Sequence, residues 1–224
     1  MRWLSTAAWL LLIPALLLTA FLAVAGSGEL YGCLQDRYVD EVSTGVSDAD
    51  RYRINACLAE YIRGERDDIA VDAVVYGVEQ AAFNETEILH MKDVRALFDL
   101  ARTAKWSLLL SGSALLAVPV ARKHRAVWHG YLAAAGLWLA ALLGVGAWAA
   151  SDFTRAFLWF HEMLFTNDLW LLNPATDLMI RMLPEAFFAD IAAAAVIAMA
   201  GLLLAAGFAA WGWFGRSRKR GSDI

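Results

Sequence analysis

His90 and His161 are the two side chains of this 224-residue chain best placed for acid–base chemistry. Each has carboxylates nearby, Glu87 and Asp93 for the first and Glu162 and Asp168 for the second. An imidazole with an ordinary pKa of about 6.5 gives and takes protons near neutrality. The structural alternative is that each caps a helix or bonds locally. The run from Phe160 to Phe188 adds Asn167, Asn173 and Arg181 among many aromatic rings. Arg181 follows Asp177 by four positions, the spacing of a helical ion pair; alternatively it could bind a phosphate or a developing oxyanion. Asn167 and Asn173 are candidate carbonyl polarisers or substrate-positioning groups, although an asparagine before Pro174 is first a helix cap.

Other chemistries find no support. His161-Glu162-Met163-Leu164-Phe165 starts like a zinc-protease helix, but Phe165 stands where the second histidine ligand belongs. The two histidines with Glu162 or Asp168 would make at most a weak metal site, so no metal is expected. No Ser or Cys nucleophile motif, CxxC pair or haem-attachment motif is present. His124 lies in a cationic cluster, and His129 is one turn inside an apolar run, so neither is expected to be catalytic.

The elements holding these residues must cross a lipid bilayer. With 60% apolar residues, the chain has four stretches near the roughly 20 residues that a helix needs to span a bilayer. They are Trp3 to Ala25, Trp106 to Ala121, Val127 to Ala150 and Phe187 to Phe214. Leu97, Phe98 and Ala101 extend the short second one, so that it is read as residues 100–121. Ala23-Val24-Ala25 looks like a signal-cleavage site, but the apolar run exceeds a normal signal core and reads as a span. Arg2, the loop 122–126 with Arg122-Lys123-His124-Arg125, and the tail 215–224 with Arg216 to Arg220 all fall on one side. By the positive-inside tendency both termini are cytoplasmic, and segments 26–99 and 151–186 lie outside.

The outer segment from Gly26 to Phe98 carries 15 acidic against 7 basic residues, which argues against nucleic acid as a partner. Ser47-Asp48-Ala49-Asp50 caps a helix that Gly64 ends. Ile69 to Tyr76 and Val78 to Phe83 read as strands broken at Gly77. Asn84-Glu85-Thr86 fits a glycosylation acceptor but is read as a turn. His90 is expected just before or at the first turn of the helix that becomes span two. Cys33 and Cys57 could form a disulfide outside the cell or remain thiols. In the second outer segment, Ser151 or Asp152 caps an interfacial helix with the stripe Phe153, Phe157, Phe160 and Leu164. Asn173-Pro174 and Pro184 mark two restarts of the chain. The fold class is therefore membrane α-helical: four spans, a small α+β extracytoplasmic head, and a re-entrant or interfacial loop between spans three and four.

The motifs His90-Met91-x-Asp93-Val94-x-x-Leu97-Phe98, Phe160-His161-x-x-x-Phe165-x-Asn167-x-x-Trp170, Pro174-x-Thr176-Asp177 and Pro184-Glu185-x-Phe187 resemble those of the lipoprotein intramolecular transacylase family of four-span bacterial membrane proteins. The resemblance implies a cytoplasmic-membrane enzyme that moves an acyl chain from the diacylglyceryl group of a lipoprotein to its N-terminal cysteine amine. It implies diacylglyceryl-modified lipoproteins and membrane lipid as partners, no cofactor, and His90 and His161 as the catalytic pair. The family pattern often has aspartate where this chain has Asn173. A different class of function, a non-enzymatic membrane sensor or assembly module with an acidic head, would leave the two histidines in separate surroundings.

Overall fold

The computed structural model describes residues 1–122 and 125–215. His124 and the cationic tail from Arg216 lie outside the described residues. Chain contacts define two compact units, one of Met1–Phe21, Ala101–Ala150 and Val196–Ile224, the other of Leu22–Leu100 and Ser151–Ala195. Four helices are long and apolar enough to cross a membrane: α1 (Arg2–Ala25), α5 (Glu85–Ala121), α6 (Ala126–Ser151) and α9 (Glu185–Ala210), which runs on as a wider turn over Trp211–Gly215.

In the first unit, helices meet through small residues and rings. A side chain at Gly130 would put its Cβ 2.7 Å from the Ser5 carbonyl carbon, so only glycine permits this approach of α6 to α1. Ile13, Leu17, Tyr131, Ala134 and Leu203 form the core. The Tyr131 hydroxyl donates to the Leu203 carbonyl at 2.5 Å, and the Trp9 indole N–H donates to Val127 at 3.1 Å. Large apolar residues such as Leu137, Val145, Ile197 and Phe208 remain exposed, as a lipid-facing surface requires.

The second unit is assembled by caps. Ser47 accepts from Asp50 N–H to start α4 (Asp48–Arg63), and Gly64 closes it at φ 91°, as the sequence anticipates. Two helices that the sequence reading left out precede it, α2 (Gly28–Gln35), begun by Ser27, and α3 (Glu41–Thr44), begun by Asp40. Strands β1 (Asp72–Val75) and β2 (Val78–Ala81) pair antiparallel around Tyr76-Gly77, both at positive φ. That is the two-residue turn whose twist suits a hairpin. Then come α5, α7 (Phe153–Leu164) and α8 (Leu178–Met182). The core joins Ile54, Leu58 and Ile62 of α4, Val75 of β1, Met91 of α5, and Met179 and Met182 of α8.

Two details depart from expectation, and one open alternative is decided. α5 starts at Glu85, so His90 lies in its second turn rather than before or at its first. Asn173 caps no helix: its side chain accepts from Ala175 N–H, its carbonyl accepts from Asp177 N–H, and α8 begins only at Leu178. Both cysteines are free thiols, Cys33 exposed and Cys57 buried, so the disulfide alternative is not realised.

Candidate functional site

His90 and His161 come together. Their ring centroids are 6.4 Å apart, and Phe165 lies 5.3 Å from the first and 5.7 Å from the second. His90 is on the face of α5 that also carries the buried Met91 and the partly buried Val94 and Phe98. Burial of His90 leaves 8% of its surface exposed. Its Nδ1 is buried with no hydrogen-bond partner among the described residues. An unpaired buried ring nitrogen is costly in a purely structural residue.

His161 lies in the last turn of α7, which Asp152 opens by accepting from Arg155 N–H at 3.0 Å. Thr154 donates to Glu185 at 2.6 Å, and Phe157 meets Phe188 at 5.3 Å, so the first turn of α9 holds α7 in place. The His161 Nδ1–H donates to the Phe157 carbonyl at 2.7 Å. This bond selects the tautomer that leaves Nε2 as an acceptor. Phe157, Phe160 and Trp170 surround the ring at 4.3, 5.4 and 5.0 Å, Trp170 stacked on it. Burial lowers the His161 pKa from its usual 6.5, and the bond to Phe157 opposes that shift only partly. The outer side of α7, with Leu158, Trp159, Phe160 and Met163, is exposed.

Of the other expected site residues, Asn167 is next to the pair. Its amide donates to Asp93 at 2.9 Å, one turn after His90, while its oxygen accepts from Leu169 N–H at 3.1 Å. With both ends engaged, Asn167 clips the Phe165–Trp170 segment to α5. Asn173 and Arg181 belong to a separate polar knot around Asp177. That carboxylate accepts from Asn173 N–H at 2.7 Å, from the Thr176 hydroxyl at 2.7 Å and from Asn84 at 2.8 Å. Burial pushes the Asp177 carboxyl up, but these bonds and the Arg181 charge hold it below the usual range. Because the carboxylate is already taken, Arg181 does not make the expected ion pair with it. It donates instead to the Asp177 carbonyl at 3.3 Å, the Thr44 carbonyl at 3.4 Å and the Tyr76 hydroxyl at 3.1 Å.

Glu87, which the sequence shows only as a carboxylate near His90, ties this knot to α5. Its carboxylate accepts from Asn84 N–H at 2.8 Å and Met179 N–H at 2.6 Å, while its own N–H donates to the Asn84 side chain at 3.1 Å. Asn84-x-x-Glu87 is a capping box, a signal that the overlapping Asn-x-Thr triplet obscured. The second bond caps α8 from another helix, since Asp177 at its N-cap makes no side-chain cap of its own. Among the described residues no group of three metal-ligating side chains gathers.

Comparison with known proteins bears on the fold and the family. Three structures of the membrane integral lipoprotein intramolecular transacylase Lit from Bacillus cereus share the fold. One is 20% identical, covers 96% of each chain and superposes with a TM-score of 0.78. Another, with a histidine replaced by arginine, is 19% identical over 97% of this chain and 93% of that one, with a TM-score of 0.76. A third, with a histidine replaced by alanine, is 20% identical over 97% and 96%, also at 0.76. No curated protein matches the sequence. Residues 6–188 match the sequence profile of the family described as lipoprotein intramolecular transacylase Lit, and the chain therefore belongs to that family of multi-pass bacterial membrane proteins.

Proposed function

We propose that this membrane acyltransferase makes lyso-form lipoproteins, with His90 and His161 as its acid–base pair. The acyl chain leaves the diacylglyceryl group of a lipoprotein and is attached to the amine of that lipoprotein's N-terminal cysteine. Family membership supports the reaction. The carrying observation for the residues is the meeting of the two imidazoles at 6.4 Å, within reach of a shared hydrogen-bonded group. A sensor would not need the two rings side by side.

The attacking amine has an ordinary pKa near 8. As its nitrogen bonds to the ester carbonyl carbon, a neutral imidazole takes its proton. The tetrahedral intermediate then collapses, the carbon–oxygen bond to glycerol breaks, and the same proton passes to the departing glyceryl oxygen. One ester becomes one amide, nothing is oxidised or reduced, and no co-reactant is consumed. Because amine and ester belong to one molecule, most of the enzyme's task is to hold them in a near-attack geometry. The Nε2 of His161 is the acceptor left open by its bond to Phe157. His90 offers the unpartnered Nδ1. The distribution of Arg and Lys supports cytoplasmic termini and an outward-facing site.

His90→Ala and His161→Ala are each expected to abolish conversion of diacylglyceryl lipoprotein to the lyso form, read as loss of the mass-preserving rearrangement in the N-terminal peptide. The double variant should be no worse than the worse single one, since the pair acts as a unit. His129→Ala should leave the reaction intact. Activity surviving in either single variant would return the histidines to a structural role.

A further inference from the structure

The β1–β2 hairpin is closed along one edge and open along the other. Ala82 N–H donates to the Val71 carbonyl at 2.9 Å. With the register from Asp72↔Ala81 to Val75↔Val78, this makes 71–82, 73–80 and 75–78 the hydrogen-bonded pairs. The backbone groups of Asp72 and Val74 therefore point away from β2, and those of Glu79 and Ala81 point away from β1. The chain itself closes the β1 edge. Val74 N–H donates to Asp50 at 3.2 Å, the Asp72 carbonyl accepts from Arg53 at 2.6 Å, and Tyr76 N–H donates to the Gly45 carbonyl at 2.8 Å.

Nothing equivalent lies along β2. The outward N–H and carbonyl groups of Glu79 and Ala81 have no partner among the described residues. Val78 and Gln80 stand opposite Val75 and Ala73 and share their face. Yet Val75 and Ala73 are buried, while Val78 is 60% exposed. An extended segment laid beside β2 would satisfy the backbone groups and cover Val78. The strand's short length and the charge of Glu79 disfavour pairing with a second copy.

Resting on the transacylase reading, we propose that this open edge is where the polypeptide of the lipoprotein substrate docks, as an added strand, while its lipidated cysteine occupies the His90–His161 site. β2 leads through Ala82 and Phe83 directly into α5. From Ala81 to His90 the chain covers at most about 20 Å, three extended steps and six helical rises. Five extended residues following the cysteine span about 17 Å, so that residues 6 to 8 of a lipopeptide reach from Ala81 to Glu79. The cysteine end lies towards Ala81, so the peptide runs antiparallel to β2. Main-chain pairing accepts varied side chains, which suits a substrate class defined by one modified cysteine.

The test compares two substrates in the same mixed micelles, a diacylglyceryl-cysteine dipeptide and a diacylglyceryl-cysteine octapeptide. The double variant Glu79→Pro/Ala81→Pro removes both outward N–H groups and spares the ladder bonds at 78, 80 and 82, a placement that edge strands tolerate. The expected result is a fall of about tenfold in kcat/KM for the octapeptide, the worth of two net hydrogen bonds, with the dipeptide unchanged. Equal losses on both peptides, or no loss on the octapeptide, would overturn the docking edge alone. Wild-type protein that converts neither peptide would overturn the transacylase reading, and the edge with it. As a check independent of variant folding, an N-acetylated octapeptide, which has no free amine and cannot rearrange, should slow amide exchange at Glu79 and Ala81 in the wild type. Unchanged exchange there overturns the proposal.

Discussion

Around Asp177 three donors converge on one carboxylate, whereas around Tyr131 a single hydroxyl meets a single carbonyl among apolar side chains. The first unit of the chain leaves its outer surface apolar and joins its helices by close approach, at Gly130 against Ser5 and Gly112 against Leu12. The second unit spends its polar groups on caps and crosslinks, with Gln35, Asn55, Glu87 and Asp177 all buried. The difference follows from solvent. Lipid offers no hydrophobic drive between helices, so packing carries them together. In water, short helices such as α3 and α8 are stable only if other segments satisfy their ends.

The contrast breaks most easily at Glu87. Glu87→Ala leaves the amides of Asn84 and Met179 without their acceptor, and should cost about 2–5 kcal/mol, read as a lowered Tm and new proteolysis between residues 165 and 184. Gly130→Ala comes next. Its Cβ must displace the Ser5 backbone, at about 1–3 kcal/mol, with no change in proteolysis of that segment. If Gly130→Ala proves the more damaging of the two, or opens the same segment to protease, the division of labour drawn here is wrong.

A smaller, sharper effect is expected in pH dependence. The His161 pKa is held below 6.5, so this imidazole stays neutral, and able to accept a proton, to a lower pH than a free histidine. Trp170→Ala uncovers the ring and lets the pKa rise towards 6.5, so the acid limb of kcat/KM should move to higher pH. The same depression favours the folded state above pH 6.5, and that contribution is lost as pH falls through the folded pKa, because the unfolded chain takes up the proton first. A pH–rate profile unmoved by Trp170→Ala would assign the acid limb elsewhere. Least of all, Glu65→Ala should change stability by less than about 0.5 kcal/mol, since the Arg63–Glu65 pair is solvent-exposed.

The spans, the helix between Ser47 and Gly64, the hairpin break at Gly77 and the two histidines of the candidate site were legible as elements or candidates because their signals are local: apolar length, caps, a turn residue and residue type. The positions of Asn173 and Arg181 were not. Asn173-Pro174 reads as a cap, but Pro174 opens a turn in which Asn173 N–H and the Thr176 hydroxyl donate to the Asp177 carboxylate and the Asn173 carbonyl accepts from Asp177 N–H. Arg181 was given an i,i+4 partner, while the Asp177 carboxylate is filled from elsewhere, in part by Asn84, 93 residues away in sequence. Glu87 was legible only as half of a capping box; its second task, holding Met179 N–H across 92 residues, leaves no local mark. Asp93 was visible as a carboxylate one turn beyond His90, but its bond to Asn167 was not.

The aromatic wall around His161 bears on the fidelity of the product. A histidine able to deprotonate an amine can equally deprotonate water, and an ester attacked by water would release free fatty acid and strip the lipoprotein of a chain. Phe157, Phe165 and Trp170 cover part of the ring, with the exposed Phe160 at its edge, and so narrow the approach of a competing water without closing it. If His161 is the base proposed above, transferase and hydrolase differ by how far these rings keep water from one imidazole, and a change that uncovers it further should show first as leakage of acid rather than as loss of turnover.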